Sequence, residues 1–389
     1  MEWLTRVGDR VTSLVPRVDV VAPSPSGALL AVFLTRAANP DLVRRERVYV
    51  IERATGREVV ALDGPEIFRA LAWVGDDALL VLREHDAGGL WATLHAVPDG
   101  GAEAETHLAD TGGGAMALDV TVDHRRAFVR PIWRSGPRRR PDAVVLALPS
   151  LTTLLRVDPE RFRDPSAPSV ASLSPEGTRV VVTESRVIAL TVDSPDAAPP
   201  THPLSEQQPL SSAVTWVGRD RAWVTTATLN ARGDPAHTYA LDLASRGWET
   251  VFTEGLSKTF PKALRVDADG QRVAGISEAR GARPPERPRL AVVDALSGEV
   301  SSARPLAGFL LAVCWTRDDA AIVSASARAA SLEVHRWRAE GGDPDLLTRV
   351  SADAMRVTVE ASLVGDDAVL LTPTDPAGGA LASLVSLRP

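Results

Sequence analysis

The sequence predicts an all-β chain folded as a β-propeller of four-stranded blades. Three observations predict it: a hairpin phrase that recurs along the whole chain, a second hairpin that follows it, and a near-constant spacing between copies. The phrase "AWVGDDALLVL" (Ala72 to Leu82) returns almost unchanged as "SLVGDDAVLLT" (Ser362 to Thr372). In both, two apolar runs are pinched around Gly-Asp-Asp, the pattern of two strands joined by a tight turn.

Looser copies lie between and before these two. Their turns end at Gly27, Asp77, Arg125, Gly177, Asp220, Gly270, Asp319 and Asp367, at successive intervals of 50, 48, 52, 43, 50, 49 and 48 residues. Four residues before the turn end stands an apolar residue in six copies: Trp73, Trp216 and Trp315, and Leu173, Val266 and Leu363, with Pro23 and Thr121 as departures. One apolar slot filled repeatedly is a packing requirement. Between markers, "RVYVIERATGREVVAL", "TYALDLASRGWETVF" and "RLAVVDALSGEVSSA" each read as alternation, turn, alternation, a second hairpin. Each period is therefore four strands, A to D. Such a sheet has two apolar faces to cover, and blades set side by side cover each other.

The expected organisation is a single domain over 1–389, with blades starting near 17, 67, 115, 168, 211, 260, 308 and 354. Eight markers favour eight blades. Seven would result if the third copy, with "VDHRR" for its turn, or the short fourth interval belonged to a merged blade. The last repeat runs out after three strands, while "EWLTRVGDRV" near the start resembles the outer-strand segment "PDLLTRVSAD". Residues 1–16 are thus expected to supply the outer strand of the last blade and close the ring, burying Trp3, Leu4 and Val7.

The blade phrases resemble the TolB-like propeller repeat, which also forms the non-catalytic, N-terminal propeller of S9 prolyl oligopeptidase and dipeptidyl peptidase enzymes. The elements that carry the likeness are "LSPEGTRVVV" and "PSPSGALLAV", with "VDADGQRVAG" close, followed by "VVDALSGEV" and "VIERATGREV". The resemblance implies a propeller and a place beside peptide processing. It does not carry hydrolysis, because no Gly-x-Ser-x-Gly nucleophile elbow occurs.

Composition bounds the function classes. The chain is 44% apolar and 24% charged, with no run of 18 apolar residues, so no membrane partner is expected. Glu2, Arg6, Asp9 and Arg10 fall where a signal peptide needs apolar residues, which makes the cytoplasm the expected compartment. A net charge of −7 and an aromatic content of 5% argue against a nucleic-acid partner. The one cysteine, Cys314 in "LAVCW", reads as a buried small apolar residue.

No catalytic, metal or cofactor site is expected. His85, His95, His107, His124, His202, His237 and His335 show no compact ligand spacing. The pairs Asp76 and Asp77, Asp318 and Asp319, and Asp366 and Asp367 sit at A-to-B turns, where Asp is favoured for the turn itself. "GGG" at Gly112 to Gly114 lacks the lysine and helix of a phosphate loop.

One charge pattern does point to binding. The B-to-C connections "RAANPDLVRRERV", "WRSGPRRRPD" and "EARGARPPERPR" collect Arg44, Arg45, Arg138, Arg139, Arg140, Arg283 and Arg287, whereas the A-to-B turns are acidic. A-to-B and C-to-D turns leave a blade at one end, and B-to-C and D-to-A connections at the other. Arginine forks bind carboxylates and phosphates, so an acidic peptide or protein is the expected partner. Only Lys258 and Lys262 are lysines, so general arginine usage accounts for these clusters equally well. The leading expectation is a non-catalytic scaffold or binding protein. The alternative is a hydrolase or lyase at the channel mouth, with Glu84, His85 and His237 as candidates.

Overall fold

In a computed structural model the residues described are 3–7, 9–14, 20–34, 47–63, 67–85, 88–97, 99–110, 116–131, 142–157, 170–183, 186–194, 201–203, 210–227, 237–244, 247–252, 264–277, 289–306, 308–328, 331–351, 359–373 and 381–388. Among them every regular element is a strand, arranged in eight sheets. The A strands are Val20–Pro23, Ile67–Val74, Met116–Val120, Val170–Leu173, Leu210–Trp216, Arg265–Val266, Phe309–Trp315 and Val359–Val364. Seven sheets run A, B, C, D in chain order. The fold is an eight-bladed β-propeller.

The eighth sheet is completed from the other end of the sequence. After Val359–Val364, Ala368–Pro373 and Ser383–Ser386 comes Val11–Leu14, paired antiparallel to Ser383–Ser386, and then Leu4–Arg6 as a fifth strand. The N-terminal segment is thus a hairpin where one strand was expected, and its anchors differ from those expected. Trp3 is buried, but Val11 and Leu14 take the places assigned to Leu4 and Val7, and Val7 is 59% exposed. The cause is strand parity: Val11 and Ser13 turn inward, and Leu14 is buried where the strand ends.

Two compact units are distinguishable. The first comprises Met1–Thr5, Leu14–Val180 and Leu190–Pro199; the second comprises Arg6–Ser13, Val181–Ala189 and Pro200–Pro389. Within the first, apolar clusters fill the seams of blades 1 and 2 (Phe33, Val50, Phe68, Trp73, Val81) and blades 2 and 3 (Leu82, Leu94, Val129, Leu146). Trp3 packs on Tyr49 of blade 1, ring centroids 4.8 Å apart. Within the second, the seams of blades 6 and 7 (Leu290, Leu310, Trp315, Trp337) and 7 and 8 (Val323, Val334, Val369, Val385) are filled likewise, Val11 joining the last.

The recurring phrase is built by side-chain capping. Ser24, Thr121, Ser174, Asp267 and Thr316, all buried, accept the backbone N–H of the residue five places on, at 3.2, 3.0, 3.1, 3.0 and 3.0 Å. Their backbone N–H groups bond the same residues' carbonyls. Each turn needs one residue in the left-handed region, supplied by Gly27, His124, Gly177, Gly270 and Asp319. This corrects the third copy. Its turn ends at His124 (φ 56°), one residue earlier than Arg125, so the slot is Val120 and Thr121 is the cap.

Blades 2, 5 and 8 use a turn one residue shorter. Trp73, Trp216 and Leu363 pair with Leu79, Ala222 and Val369, and Gly75, Gly218 and Gly365 hold the left-handed position. In blades 1 to 7 the end of the A-to-B turn accepts an N–H from the start of the C-to-D turn, from Arg53 to Ala28 O at 2.9 Å in the first to Ala339 to Ala320 O at 3.0 Å in the seventh; in blade 8, which has no C-to-D turn, Leu387 after strand C donates to Asp367 O at 2.8 Å. Both turns therefore leave blades 1 to 7 at the same end, as the strand order requires.

Neighbouring blades are stapled at one-period separation. Trp73 Nε1 donates to Ala22 O and Trp315 Nε1 to Arg265 O, both at 2.8 Å. The indole in the slot thus fills a seam and satisfies a carbonyl of the preceding A strand, which explains why tryptophan recurs there. Arg126 and Arg272, each five residues after a cap, donate to Gly177 O (2.7 Å) and Asp319 O (2.9 Å) of the next blade.

Gly270 tests how tightly these turns meet. A β-carbon there would lie 2.9 Å from Gly218 N and 3.1 Å from Gly218 Cα, both backbone atoms, whereas one on Gly218 meets nothing within 4 Å. Both glycines have positive φ, 71° and 77°. Gly218→Ala should then cost only the left-handed penalty, roughly 1 to 2 kcal/mol. Gly270→Ala should cost clearly more in urea unfolding; equal losses would mean that the two turns do not press on each other.

Candidate functional site

The residues singled out for partner binding, Arg44, Arg45, Arg138, Arg139, Arg140, Arg283 and Arg287, lie outside the described residues. The flanking strands are described. Leu29–Leu34 and Arg47–Glu52, Arg126–Pro131 and Ala143–Ala147, and Arg272–Ser277 and Arg289–Asp294 are strands B and C of blades 1, 3 and 6. All three arginine-rich stretches therefore join B to C.

The acidic turns are tied into the fold more firmly than the turn reading supposed. Asp76 Oδ1 accepts Ser26 N–H of the preceding blade at 2.9 Å, and the Asp319 carboxylate accepts Ala268 N–H at 3.0 Å. Arg317 of blade 7 pairs with Asp366 of blade 8 at 3.0 Å. Burial works against the charge of Asp76, but the backbone and hydroxyl of Ser26 and the Ser24 hydroxyl hold its carboxyl below the usual range. The Thr316 hydroxyl, 2.6 Å away, and then Ala320 N–H do the same for Asp318; the Thr121 hydroxyl does so for Asp123, and Ser297 for Asp294. The sequence signal for these inter-blade bonds was present in the 50-residue separation of Ser26 and Asp76.

Glu84 is held by Arg69, whose Nε donates to it at 2.8 Å, both side chains half-buried. His237 opens strand C of blade 5 opposite Thr226. His85 and His107, which show no compact ligand spacing in the sequence, flank one ring: Trp91 lies 5.3 Å from His85 and 4.9 Å from His107 between centroids. Cross-strand register does this, pairing Trp91 with Arg83 on one side and His107 on the other. His107 also meets Asp110 at 3.5 Å. His95 goes elsewhere, its Nδ1 lying 3.1 Å from Gly100 O at the C-to-D turn. Among the described residues no group of three His, Cys, Asp or Glu side chains could hold a metal ion.

Two polar groupings escaped the sequence reading. On the face of blade 7 toward blade 6, the buried Glu333 carboxylate accepts Arg349 Nε at 2.9 Å and lies 3.9 Å from His335 Nε2; Trp337 Nε1 donates to the buried Ser324 hydroxyl at 2.7 Å. The second involves three successive A strands. Burial lowers the proton affinity of Arg265 in blade 6, opposed by the charge of Glu360 in blade 8 and by Cys314 in blade 7. Burial also pushes the Cys314 thiol up to about 12, Arg265 opposing. At neutral pH that sulfur is a packing group, with Val323 and Leu371 beside it in the core of blades 7 and 8.

No family model and no curated protein sequence matches the chain. Solved structures are similar to it. One described as a eukaryotic initiation factor is 11% identical with a TM-score of 0.58, over 88% of this chain and 80% of that one. The β-propeller domain of Cps50 (Swd1) from Myceliophteria_thermophila is 11% identical with a TM-score of 0.51, over 97% of this chain and the whole of that one. At this identity the likeness concerns the fold.

Two outcomes follow from the titrating groups. A carboxyl whose folded pKa is depressed contributes stability above its unfolded value, near 4, and loses it as pH falls through the folded value. Melting temperature should therefore hold between about pH 7 and 5 and fall below about pH 4. Asp318→Asn should flatten that fall; a parallel curve would remove Asp318 from the account. Cys314 should stay unreactive toward Ellman's reagent at pH 8 in the native protein and react once in urea, whereas prompt native reaction would contradict its burial.

Proposed function

We propose that this propeller is a non-catalytic scaffold that binds a peptide or protein partner through its B-to-C connections, with acidic groups of the partner meeting Arg44, Arg45, Arg138, Arg139, Arg140, Arg283 and Arg287. The observation that carries the reading is the division of labour between the two ends of each blade. At the end bearing the A-to-B and C-to-D turns, backbone bonds join the two turns in blades 1 to 7, and caps and one-period staples bind blade to blade. That end is committed to cohesion. The B-to-C connections leave at the opposite end, and in blades 1, 3 and 6 these are long in the sequence and hold the arginines. Guanidinium forks match carboxylates in pairs, which gives an acidic partner both attraction and register.

The likeness of the blade phrases to peptidase propellers supports a peptide-processing pathway of bacterial type, in which a separate enzyme would supply the chemistry. A cytoplasmic location goes with that reading.

The test is a titration. An acidic peptide should bind the parent protein more tightly than the triple variant Arg138→Ser, Arg139→Ser, Arg140→Ser, by tenfold or more at low salt, with the gap narrowing as salt rises. Equal affinity would end the proposal.

A further inference from the structure

The strand that completes the last blade is held differently from its counterparts. Val11–Leu14 is paired to Ser383–Ser386 over three residues, Val11 with Val385, Thr12 with Leu384 and Ser13 with Ser383. The outer strands of blades 1, 2, 5, 6 and 7 are paired over five or six, that of blade 3 over four, and that of blade 4 over three, so pairing length alone does not distinguish it. Those strands, however, follow their C strands directly in the chain, whereas Ser13 and Ser383 are 370 positions apart. Val11–Leu14 therefore lacks the C-to-D turn that joins those strands to their C strands, and only its pairing joins it to Ser383–Ser386.

The segment carries internal flaws as well. Trp3 is 1% exposed, yet its indole N–H is buried without an acceptor among the described residues. Such an orphan donor offsets part of the gain from packing against Tyr49. Val7, between the two strands, faces solvent. Against these stands a specific recognition element. The Ser13 and Ser383 hydroxyls meet at 3.1 Å in a buried site, flanked by the apolar positions of Val11 and Leu14.

We propose that the free edge of Ser383–Ser386 is a strand-accepting site, filled in cis by Val11–Leu14 and open by exchange to an extended partner segment of the same chemistry: aliphatic, any residue, small hydroxyl, aliphatic. Removing the N-terminal hairpin leaves a three-stranded sheet whose edge presents unpaired backbone groups and the Ser383 hydroxyl, which is the arrangement that strand addition uses. Main-chain bonds would supply affinity, and the serine pair would select the third residue. This rests on the binding-scaffold reading and gives it a second, separate mode.

The probe is a fluorescein-labelled peptide of residues 9–15, Asp-Arg-Val-Thr-Ser-Leu-Val, titrated into the full chain. A tethered competitor acts at an effective concentration on the order of millimolar, so the parent should capture peptide only near that range. Val11→Ala weakens the cis strand and should improve capture about tenfold, and Ser383→Val added to it should abolish the gain. Amide exchange at Ser386, which donates to Arg10 O at 2.9 Å, reads the same event in the unmodified protein: it should be faster than exchange in strand Ser331–Arg338 and slow when peptide is added. Capture no better in folded Val11→Ala, or a Ser386 amide as protected as the central strands, overturns the proposal. A concentration-dependent dimer in place of peptide capture overturns it in favour of self-exchange. None of these results touches the arginine-connection reading, whose acidic peptide is a different ligand.

Discussion

Everything in this structure follows from the two-sidedness of a small sheet. A four-stranded antiparallel sheet with apolar residues on both faces cannot stand alone in water, so each blade is stable only against its neighbours. The seams of blades 1 to 3 and of blades 6 to 8 are accordingly filled from both sides by side chains such as Phe33, Trp73, Leu82, Trp315 and Val369. Apolar seams are non-directional, however, and would let blades slide. The register between them comes from polar groups placed one period apart: the indoles of Trp73 and Trp315, the carboxylates of Asp76 and Asp319, and the guanidinium groups of Arg126 and Arg272.

The capped turn makes this possible. A buried Ser, Thr or Asp side chain fixes the turn, the left-handed residue closes it, and the carbonyl of that residue is then presented to an arginine of the preceding blade in two seams. Local turn chemistry and inter-blade cohesion are therefore one device. This is why the motif recurs while the residues around it vary, and why carboxylates that look like candidates for metal or acid chemistry are spent on cohesion, Asp76, Asp318 and Asp319 holding backbone N–H groups and Asp366 pairing with Arg317.

The eight-blade count was legible because the motif period survives even where the letters change. "VDHRR" failed to align for a physical reason: His124 occupies a conformation for which glycine is the usual choice, which shifted the apparent turn end by one. Completion of the last sheet by the first segment was legible from a missing strand, but its anchors were not, since which residues face inward depends on strand parity. The His85, Trp91 and His107 ring cluster and the buried Glu333 were illegible for a related reason. Each joins residues on adjacent strands through cross-strand register, which connection length and bulges set, and sequence spacing does not record.

By itself the sequence determined the class of the fold, the number of blades, the turns and the origin of the closing strand, because each rests on a local pattern repeated with a fixed period. The tertiary structure alone decided which polar groups are consumed in stapling blades, why one slot prefers tryptophan, and which residues hold Val11–Leu14 at its edge. Those are relations between residues about 50 or 370 positions apart. Their energy depends on distance and burial in the folded chain, quantities that no local pattern of letters contains.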